Sequence, residues 1–282
     1  MRFEKWQALG NDYVIIEAAV LPFELTAGRV RGLCAEHTGV GGDGVLLLSG
    51  PDDPGCVARL RIFNPDGSEA ELSGNGAREA VLYLRQAGWT DATTFSLQTS
   101  VGEVRATILD ERTCRLDMGA AKLRSSAYPA GPPRGEGELQ SGGRRWSFQH
   151  VSIGNPQCAI FVAEDELDQL RLSELGPEIE RHALFPSRTN VSFSAVLAPD
   201  SLRTRIFERG VGETMASGTG ACGAAVAHVL RGGTSPVSVR LDGGELLVDV
   251  GENLHVDLTG WAVPVFAGEL AKPLIEELHA TE

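Results

Sequence analysis

The chain has 282 residues, of which 42% are apolar and 22% charged, the balance of a soluble globular protein. That length suits two domains of about 140 residues better than one core. A formal net charge of −13 argues against nucleic acid, whose binding rests on neutralising phosphates, and no apolar run approaches the roughly 18 residues of a membrane span.

The opening "MRFEKWQALGNDYVII" lacks the apolar core and small-residue cleavage site of a signal peptide. Cys34, Cys56, Cys114, Cys158 and Cys222 are odd in number and irregularly spaced. They fit reduced thiols, and the expected location is the cytoplasm.

In chain order, the pattern predicts a helix over 26–37 behind a Thr26 cap, then strand–turn–strand over 95–109 around Val101-Gly102. Residues 145–162 repeat that logic with a break at Gly154-Asn155-Pro156, and a helix is expected over 173–183. Val239 and Leu241 alternate with Ser238, Arg240 and Asp242 before a Gly243-Gly244 hairpin turn; Leu254, Val256 and Leu258 then alternate with His255 and Asp257. The stretches "AREAVLYLRQAG" and "ACGAAVAHVLRGG" are apolar on several faces, which predicts helices buried inside something.

Each of those helices follows a copy of one corner. "RIFNPDGSEAELSGNGA" at 61–77 and "RIFERGVGETMASGTGA" at 205–221 lie 144 positions apart. Extended to 61–80 and 205–224, the two share nine residues of 20, which points to duplication and to two similar domains, each a curved sheet on one buried helix. Ser-Gly-x-Gly at the mouth of a helix makes an anion site. The first N–H groups lack partners, the helix dipole favours negative charge, and glycine lets a ligand approach. The Gly-Lys-Ser/Thr of a nucleotide-binding loop is missing.

Six ordered motifs complete the pattern: "GNDYV" at 10–14, "GVGGDGVL" at 39–46, "FNPDGSEAELSGNGAR" at 63–78, "GNPQCAIFV" at 154–162, "FPSRTNV" at 185–191 and "ERGVGETMASGTGA" at 208–221. The chain resembles the diaminopimelate epimerases over nearly its whole length. That resemblance implies an α/β (α+β) fold of two pseudo-symmetric domains, each a β-barrel-like sheet around a central helix, with the active site in the cleft between them. Residues 1–117 with 263–282 would form the N-terminal domain and 118–262 the C-terminal one. It further implies a cofactor-independent isomerase of LL- and meso-2,6-diaminopimelate in lysine and peptidoglycan biosynthesis, and a homodimer.

In the family, two cysteines on opposite sides of the α-carbon move its proton; here those positions are Ser73 and Ser217. The carboxylate would be held by the N–H groups of Gly74, Asn75, Gly218 and Thr219. The distal end of the amino acid would be held by Asn11, Asn64, Asn155, Asn190, Glu208 and Arg209, with Arg209 suited to a carboxylate and Glu208 to an ammonium. Gln157 stands where the family usually has a histidine and Gly44 where many members have glutamine. Cys158 and Cys222 are out of register and are expected in the core.

Serine is a far weaker acid than cysteine and needs an adjacent base. Three readings therefore stay open: an epimerase with both cysteines changed to serine and little turnover, a two-serine racemase or dehydratase of another amino acid, and a diaminopimelate-binding protein without turnover. No organic cofactor is expected, and the six scattered histidines give no metal-ligand spacing.

Overall fold

The computed structural model describes residues 1–281. The chain divides into two compact units, Met1–Leu116 with the segment from Gly260 onward, and Asp117–Thr259. The first holds β1 (Arg2–Ala8), β2 (Asn11–Glu17), α1 (Ala27–Cys34), β3 (Val45–Ser49), β4 (Ala58–Phe63), β5 (Glu69–Ala70), α2 (Gly74–Gln86), β6 (Thr94–Thr99), β7 (Gly102–Ile108) and the start of β8 (Thr113–Ala120). The second holds β9 (Glu136–Ser141), β10 (Arg144–Ile153), β11 (Asn155–Phe161), α3 (Glu164–Leu167), α4 (Leu172–Glu180), β12 (Asn190–Ala198), β13 (Ser201–Glu208), β14 (Gly212–Thr214), α5 (Gly218–Leu230), β15 (Val237–Leu241), β16 (Gly244–Val250) and most of β17 (His255–Trp261). Strand β18 (Val263–Glu269) and α6 (Lys272–Ala280) belong to the first unit.

The two units use one pairing scheme. In the first, β1 and β2 are antiparallel, β2 is parallel to β3, and β3 is antiparallel to β4. Strand β4 carries β5 antiparallel and β6 parallel, and β6, β7 and β8 continue as antiparallel neighbours. The second unit repeats each step with β10 to β17. Strand β18 lies antiparallel on β1 as β9 lies on β10, so one unit takes its first strand from the far end of the chain. This is a mixed α+β fold with much sheet and few helices.

The 144-residue offset of the repeated corner reaches further than that corner. It relates Gly10-Asn11 to Gly154-Asn155, and both glycines sit at turns with positive φ (81° and 77°). Within the corners, the repeated arginine and glutamate make the same ion pair across a tight antiparallel turn. Arg61 meets Glu69 at 2.8 Å and Arg205 meets Glu213 at 2.5 Å.

Helices α2 and α5 are each buried along eleven consecutive residues, Gly74–Leu84 and Gly218–His228. Their small residues are dictated by the sheet around them. A Cβ on Gly76 would lie 2.9 Å from Leu46 Cδ2, and one on Gly220 would lie 2.7 Å from Ile206 Cδ1. A second layer lies outside each sheet. Helices α1 and α6 contribute Val30, Leu33 and Leu278 to one apolar cluster, and α4 contributes Leu172 and Ile179 to an aromatic-rich one around Phe148, Phe185 and Phe193. Thr26 Oγ1 accepts the Arg29 N–H as expected, and α1 stops at Cys34, short of the predicted residue 37.

Candidate active site

Ser73 has extended backbone angles (φ −125°, ψ 120°) and caps α2, its Oγ accepting the Gly76 N–H at 3.1 Å. The Ala77 N–H goes to the Ser73 carbonyl at 2.9 Å. The cap therefore engages the third and fourth amides of the helix; those of Gly74 and Asn75 lead it. A further donor reaches the same oxygen: Tyr13 Oη on β2 donates to Ser73 Oγ at 3.3 Å.

Around this corner the amides are held in a chain. Asn75 Nδ2 donates to Asn11 Oδ1 (3.2 Å), and Asn11 Nδ2 donates to Asp43 Oδ2 (2.8 Å). Arg78, fully buried, donates to Asn75 Oδ1 (2.7 Å) and the Gly74 carbonyl (2.9 Å). Asn64 sits in the β4–β5 turn with Nδ2 on Ser68 Oγ at 3.0 Å. The side-chain oxygens of the neighbouring Glu79 are buried. Burial, helped by Asp12 and Asp43 and opposed by Arg78 and a backbone hydrogen bond from Tyr13, pushes that carboxyl well above the usual range. Gly44 is a glycine because a Cβ there would lie 2.2 Å from the Phe63 carbonyl oxygen and 2.6 Å from Tyr13 Cε1.

The second corner uses the same cap. Ser217 Oγ accepts the Gly220 N–H at 3.3 Å, and its carbonyl accepts from Ala221 at 2.9 Å, with Gly218 and Thr219 leading the helix. Ser217 Oγ also donates to Glu208 Oε2 at 2.8 Å, while Thr214 Oγ1 donates to Glu208 Oε1 at 2.9 Å. The carboxylate expected for a ligand's ammonium is thus hydrogen-bonded to two hydroxyls, one of them the serine at a predicted catalytic position. Asn155 Nδ2 donates to Thr219 Oγ1 (3.1 Å), the counterpart of the Asn11–Asn75 contact, and Gln157 Nε2 donates to Asn155 Oδ1 (2.5 Å). Asn190 Oδ1 accepts the Arg209 N–H at 2.7 Å, and the Arg209 guanidinium donates to the Ser187 carbonyl at 3.1 Å.

All five cysteines are buried. Cys158 and Cys222 are fully enclosed, and burial pushes the Cys158 thiol far up, which removes it as a proton carrier. The imidazole nearest in sequence to Gln157 is His150, buried on β10 with Nε2 2.9 Å from Ser125 Oγ and lowered by burial to about 4. It stays neutral and enclosed, and does not replace an imidazole at position 157. One surface group unites residues that the sequence leaves scattered: on β8 and β17, ligand atoms of Asp117, His255 and Asp257 lie within 4.8 Å of one another, with His255 Nε2 3.0 Å from Asp117 Oδ1.

Comparison with known proteins decides the family. The family model described as diaminopimelate epimerase matches residues 3–124 and 149–263. The chain belongs to the diaminopimelate epimerase family. A diaminopimelate epimerase from Pelotomaculum thermopropionicum is 43% identical over 280 residues, covering 95% of this chain and 98% of that one. Another, from Desulforudis audaxviator, is 42% identical and covers 95% and 99%. Among solved structures, a probable proline racemase from Agrobacterium radiobacter superposes with a TM-score of 0.71 at 18% identity, covering 96% of this chain and 93% of that one. A hydroxyproline epimerase from Agrobacterium vitis gives 0.66 at 17%, covering 96% and 90%. These two share the fold. Within a diaminopimelate epimerase-like isomerase, both corners have a serine cap and the same two leading helix positions.

Tyr13, Asp43, Arg78 and Thr214 all lie within the six motifs, which by themselves give none of them a role. Tyr13 stands 60 positions from Ser73, and only its place two residues beyond Asn11, like Gln157 beyond Asn155, marks it out.

Proposed function

We propose that this isomerase interconverts LL- and meso-2,6-diaminopimelate by removing the α-hydrogen on one face and supplying a proton on the other. The observation that carries the reading is Ser217 Oγ bonded to the Glu208 carboxylate, because an alcohol becomes a proton acceptor only with a base beside it. In this reading the Cα–H proton passes to Ser217 as the serine's own proton moves to Glu208, and Ser73 supplies the proton that completes the opposite configuration. The leading amides of Gly74, Asn75, Gly218 and Thr219 hold the α-carboxylate, where fixed donors act on charge that grows as the proton leaves. Asn11, Asn64, Asn155, Asn190 and Arg209 take the distal amino and carboxylate groups.

The base on Ser217 favours turnover over a role in binding alone. The reaction needs no organic cofactor, and the protein acts as a cytoplasmic homodimer. Supporting the dimer, β18 presents Val265 and Phe266 to solvent at 53% and 45% exposure. Among the described residues no helix is long and apolar enough to cross a membrane.

The test follows α-deuterium incorporation from D2O into both stereoisomers by NMR, with calorimetry for binding. Exchange into the opposite isomer is expected, rising on the order of 10²-fold in the S73C/S217C variant, whose thiols are stronger acids. Binding without exchange in either protein would leave a binding protein, and no binding would remove diaminopimelate as the ligand.

A further inference from the structure

The two corners share a cap but give their serines opposite proton environments. Ser217 Oγ gives its proton to Glu208 and accepts the Gly220 N–H, so it has a lone pair left for a ligand. Ser73 Oγ accepts from both the Gly76 N–H and the Tyr13 phenol. A hydroxyl has one proton and two lone pairs, so Ser73 has its proton left. The difference follows from which repeated position supplies the partner. In the second unit the partner is residue 208, whose counterpart Asn64 turns to Ser68. In the first it is residue 13, whose counterpart Gln157 turns to Asn155. Room for the phenol exists because residue 44 has no side chain.

We propose that Tyr13 is the proton-relay residue of the Ser73 corner, directing the Ser73 hydroxyl proton outward to the substrate and replacing it after transfer. The inference rests on the isomerase reading above. In the step, the Ser73 O–H bond breaks as a C–H bond forms at the substrate α-carbon. The Tyr13 O–H bond breaks as the Ser73 O–H bond re-forms, leaving a tyrosinate. The proton taken from the substrate stays on Ser217 Oγ and the proton that serine gave up sits on Glu208; exchange with water after product release restores Glu208 and Tyr13. No oxidation state changes. The phenol suits this task because it is a much stronger acid than an aliphatic hydroxyl, ionising near pH 10 in its unperturbed form, while its buried ring is fixed on β2.

The test compares wild type, Y13F, S73C and Y13F/S73C, measuring kcat and KM for LL- and meso-diaminopimelate in D2O. Y13F is expected to lower kcat on the order of 10²-fold, as loss of an acid–base group does, with KM changed less than about twofold. In the S73C background the same change should cost less than about threefold, because a thiol donates its own proton. An equal loss in both backgrounds, a change confined to KM, or no loss would overturn the relay. A silent wild type beside an active S73C/S217C variant would also overturn it while leaving the isomerase reading intact. Silence and absence of binding in all variants would remove that reading itself. A second measurement does not depend on turnover or on Y13F folding. The chain has three tyrosines, and their ring carbons can be followed by NMR after 13C-tyrosine labelling. S73A should shift the Tyr13 Cζ resonance and leave the other two in place; an unmoved Tyr13 signal overturns the contact.

Discussion

Glu79 is the residue whose burial runs most directly against its chemistry. Both side-chain oxygens are enclosed, and burial raises its pKa well above the usual 4.5. A group whose folded pKa is raised contributes stability that is full below the unfolded value and is lost as pH rises through the folded one. Between the unfolded and the folded pKa the folded chain holds a proton that the unfolded chain gives up, and stability falls by about 1.4 kcal/mol for each pH unit of that window. E79Q, which never ionises, is expected to gain stability relative to wild type between pH 5 and 8, with the difference growing toward alkaline pH. Urea titrations at both ends of that range check this, and parallel pH profiles would show that Glu79 is not the proton holder.

At the scale of the element, the two central helices depend on their serines before any chemistry is asked of them. Each Oγ accepts a first-turn N–H, and a lost cap of this kind costs about 1 kcal/mol. S73A should lose that cap and the acceptor of the Tyr13 phenol, a neutral hydrogen bond. S217A should lose more, by about 1 kcal/mol or above, because it also strips a hydroxyl donor from the Glu208 carboxylate. Chemical denaturation of the two single variants gives the order, and equal losses would mean the Ser217–Glu208 bond is worth no more than the Tyr13–Ser73 bond.

The same helices show what could be read in the sequence. The repeated Ser-Gly-x-Gly-Ala gave both starts, and the run of small apolar residues gave their burial. The hairpin turns at Gly102, Gly154 and Gly244 stood where glycine or a period-2 break placed them. What was not readable depends on register between distant strands. Glu208 reaches Ser217 because β13 and β14 fold back on one another through the turn at residues 209–211. Tyr13 reaches Ser73 because β2 lies against α2, a contact that no local pattern encodes. The return of β18 to β1 is likewise a fact of topology, which only the family resemblance supplied.

For the whole molecule, that returning strand has two effects. It leaves Val265 and Phe266 exposed, and under the proposed dimer F266D is expected to shift the protein from dimer to monomer in sedimentation while its circular dichroism is kept. A wild type that already sediments as a monomer would sink the dimer. The second effect concerns synthesis. The Met1 carbonyl accepts the Leu270 N–H at 3.0 Å and the N-terminal amine lies 3.5 Å from Glu269, so β1 pairs with β18, made about 260 residues later. The second unit has no such wait, since β9 leaves the ribosome just ahead of β10. At roughly 5–20 residues per second, β1 keeps an open edge for on the order of 10 to 50 s before β18 arrives. An exposed edge strand is a template for wrong pairings. The half of this chain that is translated first is the half that finishes folding last.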